Sequence, residues 1–346
     1  MDNLSQTVID FAISEGACKA GIATVETLTG GPPSADLAYI RADAKSAISF
    51  AVPLDEDLII AFLKKESRLP LERNVVHANS IASGISLALA NFLELKGISS
   101  TAIPANLRYR PEMPNGLFDL VPDISHRYLA VRSGVGHFGL SGNVITPNKG
   151  AAVILGCVVT TAELVPTDPL PVEQNYCDAC GMCMASCASG FVDLREQVCV
   201  TLGGIEFSYA KRRDYHRCGY LCGGFTGLHP SGQWSTWSPG RFCIPENDGE
   251  FLAATVSAIK QWRQWPEIEG GFYNPLQPWK TRMACAHCQL VCVPDKEERK
   301  RRHEMIINAG VVVQNLDGSL EAVSPQEAIK KLSLMSPDKR MLYQSS

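Results

Sequence analysis

The segment CDACGMCMASC, residues 177–187, decides how the sequence is interpreted, because its cysteines follow the pattern Cys177-x2-Cys180-x2-Cys183-x3-Cys187. Three cysteines two residues apart on one loop can bind three irons of a cubane [4Fe–4S] cluster, and the fourth binds a different cluster. Four buried thiols without a metal would not require this spacing. Structural zinc sites instead pair two Cys-x2-Cys knuckles about 12–20 residues apart. The segment therefore predicts an iron–sulfur centre, with Cys187 at the start of the following helix.

A second cysteine segment, CAHCQLVC, supplies three further thiols, Cys285, Cys288 and Cys292. If the two clusters exchange their last ligands, cluster one takes Cys292 together with Cys177, Cys180 and Cys183. Cluster two then takes Cys187, Cys285 and Cys288 and needs one more ligand. The candidates for that ligand are Cys199, Cys218, Cys222 and Cys243. Cys199 is favoured, because it lies soon after Cys187; the pair Cys218-x3-Cys222 is the alternative ligand source, or a redox pair.

The composition indicates a globular protein from a reducing compartment. Hydrophobic residues make up 45% and charged residues 20% of the 346 residues, which excludes disorder, collagen and coiled coil as the main state. The net charge of −4 does not indicate a broad nucleic-acid-binding surface. No apolar run approaches the roughly 20 residues of a membrane span, and the N-terminus lacks the pattern of a secretory signal. Thirteen cysteines, an odd number, argue against a disulfide framework, so we expect a cytoplasmic protein with no membrane span.

Apolar periodicity predicts a mixed domain of helices and strands before residue 165. Segments with helical spacing are residues 4–15, 74–96 and 124–133. Segments with the apolar character of strands are residues 19–24, 47–53, 99–104 and 151–161. Gly97 stands where a C-cap glycine belongs, and Cys18 and Cys157 lie in apolar runs as core thiols. A long helix beside several β-rich runs is typical of a layered α/β sandwich.

The composition changes at the proline-rich run VPTDPLPVEQ, residues 165–174, which indicates a linker. The following region is rich in Cys, Gly, Trp and Pro, and small cores of that kind usually need a metal. Trp234, Trp237 and Arg241 lie within it and indicate an ordered loop that either caps a pocket or stabilises the fold. We predict three parts: residues 1–165, residues 166–300 with an insertion at 204–282, and a tail at 301–346.

The segment SHRYLAVRSGVGHFGLSGNVITPNKGAAVILGCVVTT, residues 125–161, together with both cysteine segments, resembles the epoxyqueuosine reductase family, which is related to the catalytic core of reductive dehalogenases. GACKAGIATVETL and DAKSAISFAVPL also resemble it. The resemblance covers about residues 8–200 and 283–294. It implies an α+β fold, in which a flavin-reductase-like α/β sandwich domain and a ferredoxin-like double [4Fe–4S] domain hold base-off cobalamin between them. It also implies that cluster electrons reduce the cobalt, and that Cys199 matches the family's cysteine after the first motif.

The resemblance and the residue chemistry together give candidate cofactor-binding residues. In the family, the glycine-rich segment of residues 134–142 lies against the corrin; a tight turn is the alternative reading. The residues expected at the cofactor are Arg108, Arg110, Arg127, Gly134, Gly136, His137, Gly139 and Asn143. A salt bridge within the loop is the alternative for Arg108 and Arg110, and a structural histidine is the alternative for His137.

The candidate proton donor is Asp119, which keeps the three-residue offset to Pro122 found in the family's proton-donor motif. Tyr109 and His126 could donate the proton instead. If Asp119 is the donor, burial should raise the pKa of its carboxyl group. The alternative reading is a turn or cap aspartate.

The expected function is that of an oxygen-sensitive reductase in which two [4Fe–4S] clusters pass electrons to cobalamin for reduction of a small organic substrate. A ferredoxin or flavodoxin is the expected electron donor. The family's C-terminal tRNA-binding repeats are not expected in the 54 residues after Cys292, so we expect a divergent member without a nucleic-acid partner. The alternatives are an electron-transfer protein that carries only clusters, a reductive activator of a corrinoid protein, and a flavin in place of cobalamin.

Overall fold

A computed structural model describes residues 3–105, 108–273 and 279–344. It divides into two compact units, each formed by three separate segments that alternate along the chain. The first unit consists of Met1–Leu54, Val75–Cys180 and Arg195–Ala210. The second unit consists of Asp55–Asn74, Gly181–Leu194 and Lys211–Ser346. This division differs from the sequence boundaries at residues 165 and 300.

Helices and strands alternate through the described residues. The helices are α1 (Asn3–Ser14), α2 (Val25–Leu28), α3 (Glu56–Leu63), α4 (Leu69–Glu94), α5 (His126–Arg132), α6 (Met182–Ala185), α7 (Tyr215–Cys222), α8 (Phe251–Trp262), α9 (His287–Leu290), α10 (Lys296–Asn308), α11 (Pro325–Ser333) and α12 (Pro337–Met341). The strands are β1 (Lys19–Thr24), β2 (Ser46–Pro53), β3 (Ser100–Ile103), β4 (His137–Phe138), β5 (Val144–Ile145), β6 (Val153–Thr160), β7 (Val192–Leu202), β8 (Ile205–Arg212), β9 (Phe272–Tyr273), β10 (Lys280–Thr281), β11 (Val311–Gln314) and β12 (Leu320–Val323).

The first unit is built on a four-stranded antiparallel sheet with the order β1-β2-β6-β3. Strands β2 and β6 pair along their whole length, from Ser46 opposite Thr160 to Pro53 opposite Val153. Both are buried almost throughout, because each face of the sheet is covered. A side chain at Gly156 would meet the ring of Phe50, which explains a glycine in a central strand.

Residues 75–94 of α4 belong to the first unit and bury one stripe, formed by Ala78, Ala82, Ile85, Leu89 and Leu93. Spacings of three and four residues place these side chains on one helical face. By length and composition α4 could cross a membrane, with a mean hydropathy of 1.2, and 33% of the tested window is buried. The buried stripe is that of a core helix.

A hairpin follows the first cysteine segment, where the sequence analysis predicts no strand. Strands β7 and β8 pair with each other across Gly203 and Gly204, whose φ angles are 57° and 80°. Two consecutive residues with positive φ form the tight turn that suits the twist of a hairpin. Leu202 at the end of β7 is fully buried in the first unit's core. Residues 192–212 therefore form a two-stranded hairpin, in which the chain reverses direction at Gly203 and Gly204.

The second unit is held together by buried ion pairs as well as apolar packing. Arg302 of α10 is 1% exposed, and its guanidinium lies 2.6 Å from Glu56 of α3 and 2.9 Å from Glu298. Arg302 also donates to the carbonyl oxygen of Leu290 in α9 at 3.0 Å. Three helices therefore converge on one cation, whose burial is tolerable only because its donors are paired.

The tryptophan-rich loop of the second unit is structural. Trp237 donates its indole N–H to the carbonyl oxygen of Phe62 at 3.1 Å. Trp234 stacks on His229, with 4.5 Å between ring centroids. Arg241 donates to the backbone carbonyls of Ser238 and Gly240, among others. These contacts favour the stabilising interpretation of the loop over a pocket cap.

Candidate functional site

The first cysteine segment turns sharply within residues 177–183. Ala179 has φ 54° and Gly181 has φ 74°, and α6 starts directly after Gly181. A non-glycine residue in this left-handed region costs roughly 1–2 kcal/mol, and such strain concentrates at functional sites. A loop that places thiols around a compact cluster needs turns of this kind. The prediction that Cys187 starts a helix is wrong: Cys187 follows α6, and a turn at Gly190 (φ 60°) leads into β7.

Cys177 is tied to the glycine-rich segment within the first unit. The backbone N–H of Leu140 donates to Cys177 Sγ at 3.2 Å. Asn175 Oδ1 accepts from the Cys177 N–H at 3.1 Å, and its Nδ2 donates to the Phe138 carbonyl oxygen at 3.4 Å. Hydrogen bonds to a ligand sulfur change the reduction potential of an iron–sulfur cluster. The contact therefore links two segments that the sequence analysis treats separately.

Four thiols gather in the second unit: those of Cys187, Cys218, Cys285 and Cys288. Burial raises the pKa of Cys288 well above its usual value, and the charges of the other three thiols raise it further. Burial also raises the pKa of Cys187, with smaller contributions from Cys285 and Cys218. The charge of Cys285 also acts to raise the pKa of Cys218. Each thiol is thus a close electrostatic neighbour of the other three.

A fifth thiol, that of Cys222, lies beside this group. Its Sγ is 3.5 Å from the Sγ of Cys218, one helical turn earlier in α7. A hydrogen bond with Cys222 lowers the pKa of Cys218 and is the largest effect on that group. It lowers the pKa of Cys285 in the same way. Cys222 therefore forms hydrogen bonds with two thiols of the group.

The remaining cysteines lie in varied surroundings. Cys199 is exposed on β7 in the part of that strand assigned to the first unit. Cys180 and Cys243 are exposed, Cys183 is buried and Cys292 is half-buried. Within residues 3–105, 108–273 and 279–344, no three His, Cys, Asp or Glu side chains converge on a single metal ion. The ligands of a cubane stand apart by the width of the cluster, so they need not converge on one point.

Three buried polar atoms near the second cysteine segment have no hydrogen-bond partner in the part of the chain that the structure describes: Lys65 Nζ, Ser186 Oγ and His287 Nδ1. His287 lies between two cysteines of that segment, and its other ring nitrogen bonds to the backbone of Ser186. Burial lowers the pKa of His287 to about 3, so its ring is neutral. Buried polar atoms are nearly always paired in folded proteins. These unpaired atoms and the five thiols fit a bound cluster.

The glycine-rich segment forms the hairpin of β4 and β5, and its glycines are needed for packing. A Cβ on Gly136 would come 2.7 Å from the carbonyl oxygen of Ile145. Gly134 has φ 71° and packs against the backbone of Asp168. Gly139 packs against the side chain of Ile145. This supports the turn interpretation, and contact of these glycines with a cofactor stays a prediction.

The candidate arginines Arg108 and Arg110 are paired within the first unit. Arg110 is buried and donates to the carbonyl oxygens of Pro33 at 2.8 Å and Asp123 at 2.9 Å. Its guanidinium lies 3.6 Å from the ring centroid of Tyr39. Arg108 forms an ion pair with Asp123 at 2.9 Å. Both arginines stabilise the loop, as the alternative reading expects.

The next two candidates also make local contacts. Arg127 donates to the Gly142 carbonyl oxygen at 2.9 Å and lies over the ring of Tyr209, 5.5 Å from its centroid. The backbone N–H of Asn143 donates to Ser141 Oγ at 3.4 Å. These contacts shape the entry to β5, and a cofactor role for Arg127 and Asn143 stays a prediction.

The proton-donor candidates occupy different environments. Asp119 accepts from the backbone N–H of Asn115 at 3.0 Å and from its side-chain amide at 2.8 Å, as a turn aspartate does. Tyr109 forms an isolated bridge with Pro122. Burial lowers the pKa of His126 to about 4, and its Nε2–H bonds to the Pro104 carbonyl, since Nδ1 has no partner. The neutral ring of His126 is therefore suited to accept a hydrogen bond at Nδ1.

Unpaired buried polar atoms cluster along residues 126–137 of the first unit. The atoms without a hydrogen-bond partner among the described residues are His126 Nδ1, Arg132 Nε, Arg132 Nη1, Ser133 Oγ and His137 Nε2. Burial lowers the pKa of His137, whose other nitrogen bonds to the Pro171 carbonyl. The amide side chains of a corrinoid both donate and accept hydrogen bonds. These atoms therefore fit a polar ligand of that class.

Sequence comparison relates the chain to reductases. No family model matches it. It is 39% identical over 64 residues to the epoxyqueuosine reductase of Atelocyanobacterium thalassa, a match that covers 18% of the chain and 20% of that protein. It is 31% identical over 68 residues to the epoxyqueuosine reductase of Bacillus anthracis, covering 20% of the chain and 17% of that protein. The chain resembles epoxyqueuosine reductases. The matches span about a fifth of each curated relative.

Structure comparison shows a fold shared with a solved reductive dehalogenase. A catabolic reductive dehalogenase aligns with 98% of the chain and 37% of its own length, at a TM-score of 0.50 and 12% identity. An epoxyqueuosine reductase solved with a modified tRNA stem loop covers 97% of the chain and 74% of its own length, at a TM-score of 0.45 and 17% identity. The predicted resemblance is confirmed, and the fold is a mixed helix and strand fold shared with the dehalogenase.

Proposed function

We propose that this chain is an oxygen-sensitive oxidoreductase that uses two [4Fe–4S] clusters and cobalamin to reduce a small organic substrate. The observation that carries the proposal is the group of four thiols in the second unit, beside unpaired buried polar atoms. The clusters would supply single electrons and cobalamin a reduced, strongly nucleophilic cobalt. The resemblance to reductases supports the reaction class.

The proposed ligands follow the motifs, with one change. Cluster one takes Cys177, Cys180, Cys183 and Cys292, as the spacing predicts. Cluster two takes Cys187, Cys285, Cys288 and, in place of Cys199, Cys218. The mutual proximity of these four thiols supports the change, whereas Cys199 is exposed on β7. Cys222 remains a thiol that is hydrogen-bonded to two of the proposed ligands.

The chain's own residues would bind the corrinoid and position the proton. His126, Ser133 and His137 carry unpaired buried atoms that can bind its amide groups, and Arg132 adds unpaired guanidinium nitrogens. Asp119 remains the proposed proton donor, which requires that it leave its turn contacts with Asn115. Tyr109 is the second candidate.

The proposed partners are a ferredoxin or flavodoxin as electron donor and a small molecule as substrate. One structural relative was solved with a tRNA stem loop, so a nucleic-acid substrate is the outcome to test against. The basic helix α10 gives little support for it, because Lys300 pairs with Glu297 and Arg301 pairs with Glu298. A cytoplasmic location is part of the same proposal.

A second candidate is an electron-transfer protein that carries clusters only. The pairing of Arg108 and Arg110 within the protein and the packing role of Gly134 and Gly136 favour it, because these residues then need no cofactor. Metal analysis separates the two candidates. Protein purified anaerobically from cobalamin-fed cells should contain about eight irons per chain and about one cobalt. Eight irons without cobalt, even after addition of cobalamin, would support the cluster-only protein, and the absence of iron would contradict both.

A further inference from the structure

Lys65 is an unusual lysine, because its charged end is buried without a partner. It lies in the second unit just after α3, has φ 56° and is 8% exposed. No atom of residues 3–105, 108–273 or 279–344 hydrogen-bonds to its Nζ. Its neighbour Lys64 shows the ordinary alternative, since it is 44% exposed and lies 3.7 Å from Glu66. The backbone directs one lysine of the pair into the interior.

The groups that interact electrostatically with Lys65 are the thiol of Cys285, the guanidinium of Arg241 and the imidazole of His287. Cys285 is the neighbour whose negative charge favours the ammonium. Arg241 opposes it through like charge, and burial opposes it most, so that the pKa of Lys65 falls to about 7. The charge of Lys65 also helps to keep the ring of His287 neutral. None of these neighbours is a carboxylate.

A buried ammonium without a counter-charge is costly, and folded proteins pair such groups or neutralise them. An iron–sulfur cluster on thiolate ligands carries a net negative charge, which becomes more negative when it takes up an electron. Nearby charges and hydrogen bonds to the sulfurs set its reduction potential. A cluster held by Cys285 would place that negative charge beside Lys65.

We propose that Lys65 is the counter-ion of cluster two and raises its reduction potential by stabilising the electron that the cluster accepts. The inference rests on the proposed function, because it requires a cluster on Cys285. The step is a one-electron reduction: an external one-electron donor is oxidised, the cluster is reduced, and no bond is formed or broken. Lys65 acts through its charge and is a positioning residue.

The test compares cluster potentials in Lys65→Met, Lys65→Arg and the control Lys64→Met. Each holoprotein is titrated anaerobically with dithionite and mediators while the reduced clusters are followed by electron paramagnetic resonance. In Lys65→Met we expect the equilibrium constant for reduction of one cluster to fall about tenfold, a shift of about 59 mV to lower potential. The other cluster should be unchanged. Lys65→Arg and Lys64→Met should remain close to the wild type.

The iron and sulfide content of each variant is measured as well, because it distinguishes a change in cluster potential from the loss of a cluster. Unchanged potentials in a fully loaded Lys65→Met protein would overturn the inference, as would an equal shift in Lys65→Arg. If Lys65→Met and Lys65→Gln both lose one cluster while Lys65→Arg keeps it, the charge is needed and the inference stands. If Lys65→Arg loses it too, Lys65 is a packing residue. A wild-type protein without iron would contradict the proposed function itself, a result distinct from any of these.

Discussion

The backbone N–H of Leu140 donates a hydrogen bond to Sγ of Cys177 at 3.2 Å. Leu140 belongs to the glycine-rich segment, whereas Cys177 is the first thiol of the cysteine motif, so one contact connects the two segments that carry the resemblance to reductases. Asn175 fixes this arrangement, because its side chain bonds both to Cys177 and to Phe138. A cluster on Cys177 would thus depend on the position of the glycine-rich segment.

Replacement of Asn175 by leucine should therefore weaken the retention of cluster one. The variant loses two hydrogen bonds, each worth about 0.5–1.5 kcal/mol, and frees the Cys177 backbone. We expect the variant to lose about half of its iron to a chelator faster than the wild type does. The absorbance of the clusters measures the rate of this loss. Gln174→Leu is the control, because Gln174 is exposed next to the same turn. Equal rates of iron loss in the two variants would contradict this role for Asn175.

The fourth ligand of cluster two can be identified by iron content. Cys218→Ala should retain about four of about eight irons, because Cys218 lies among the other three thiols. Cys199→Ala should retain all of them, since Cys199 is exposed on β7. Cys222→Ala should also keep both clusters. Loss of iron in Cys199→Ala with full iron in Cys218→Ala would restore the assignment made from the sequence.

Cys199 is the favoured fourth ligand in the sequence analysis because, of the candidate cysteines, it is the nearest to Cys187 along the chain. The β7–β8 hairpin separates Cys187 from Cys218, and its paired strands carry the chain out and back. The signal for this hairpin is Gly203-Gly204, a pair suited to a tight turn between strands. In the sequence, Cys218 lies 31 residues after Cys187, and no periodicity relates the two positions. Only the pairing of β7 with β8 shows that the intervening chain can fold back.

Local patterns predict most elements of the first unit correctly. Strands β1, β2 and β6 follow from their apolar runs, and Gly97 ends α4 with φ 76°, as a C-cap glycine does. The buried face of α4 follows only in part from apolar spacing: of four apolar residues at helical spacing, Ile85 and Leu89 are buried, whereas Ile81 and Phe92 are only half-buried. Which of two adjacent helical faces is covered depends on tertiary packing, which periodicity does not contain.

Buried pairs formed between distant segments are also beyond sequence reasoning. Glu72 is 3% exposed and accepts from the backbone N–H groups of Gly271 and Met283, both at 2.7 Å, and from Arg68. Glu72→Gln should destabilise the protein by about 3–5 kcal/mol, because it leaves the charge of Arg68 buried and unpaired. Denaturant unfolding measures the loss. Glu66→Gln, at an exposed carboxylate, is the control and should change stability little; similar losses in both variants would contradict the buried pair.

His126 should make the stability of the protein depend on pH. Burial lowers its pKa from 6.5 to about 4, so the folded state excludes a proton that the unfolded state binds below pH 6.5. Stability therefore falls as the pH decreases from about 6.5 towards 4, by about 2 kcal/mol between pH 7 and pH 5 from this group.

Unfolding of the wild type, His126→Leu and the control His77→Leu at several pH values tests this expectation. His77 is exposed on α4, so its replacement should leave the slope unchanged. His126→Leu should remove about 2 kcal/mol of the loss between pH 7 and pH 5. A slope that is the same in all three proteins would contradict this expectation, because it would show that the pKa of His126 does not change on folding. With an ordinary pKa near 6.5, His126 would carry a proton in part of the molecules near neutral pH, and it would become a stronger candidate than Asp119 for the proton donor.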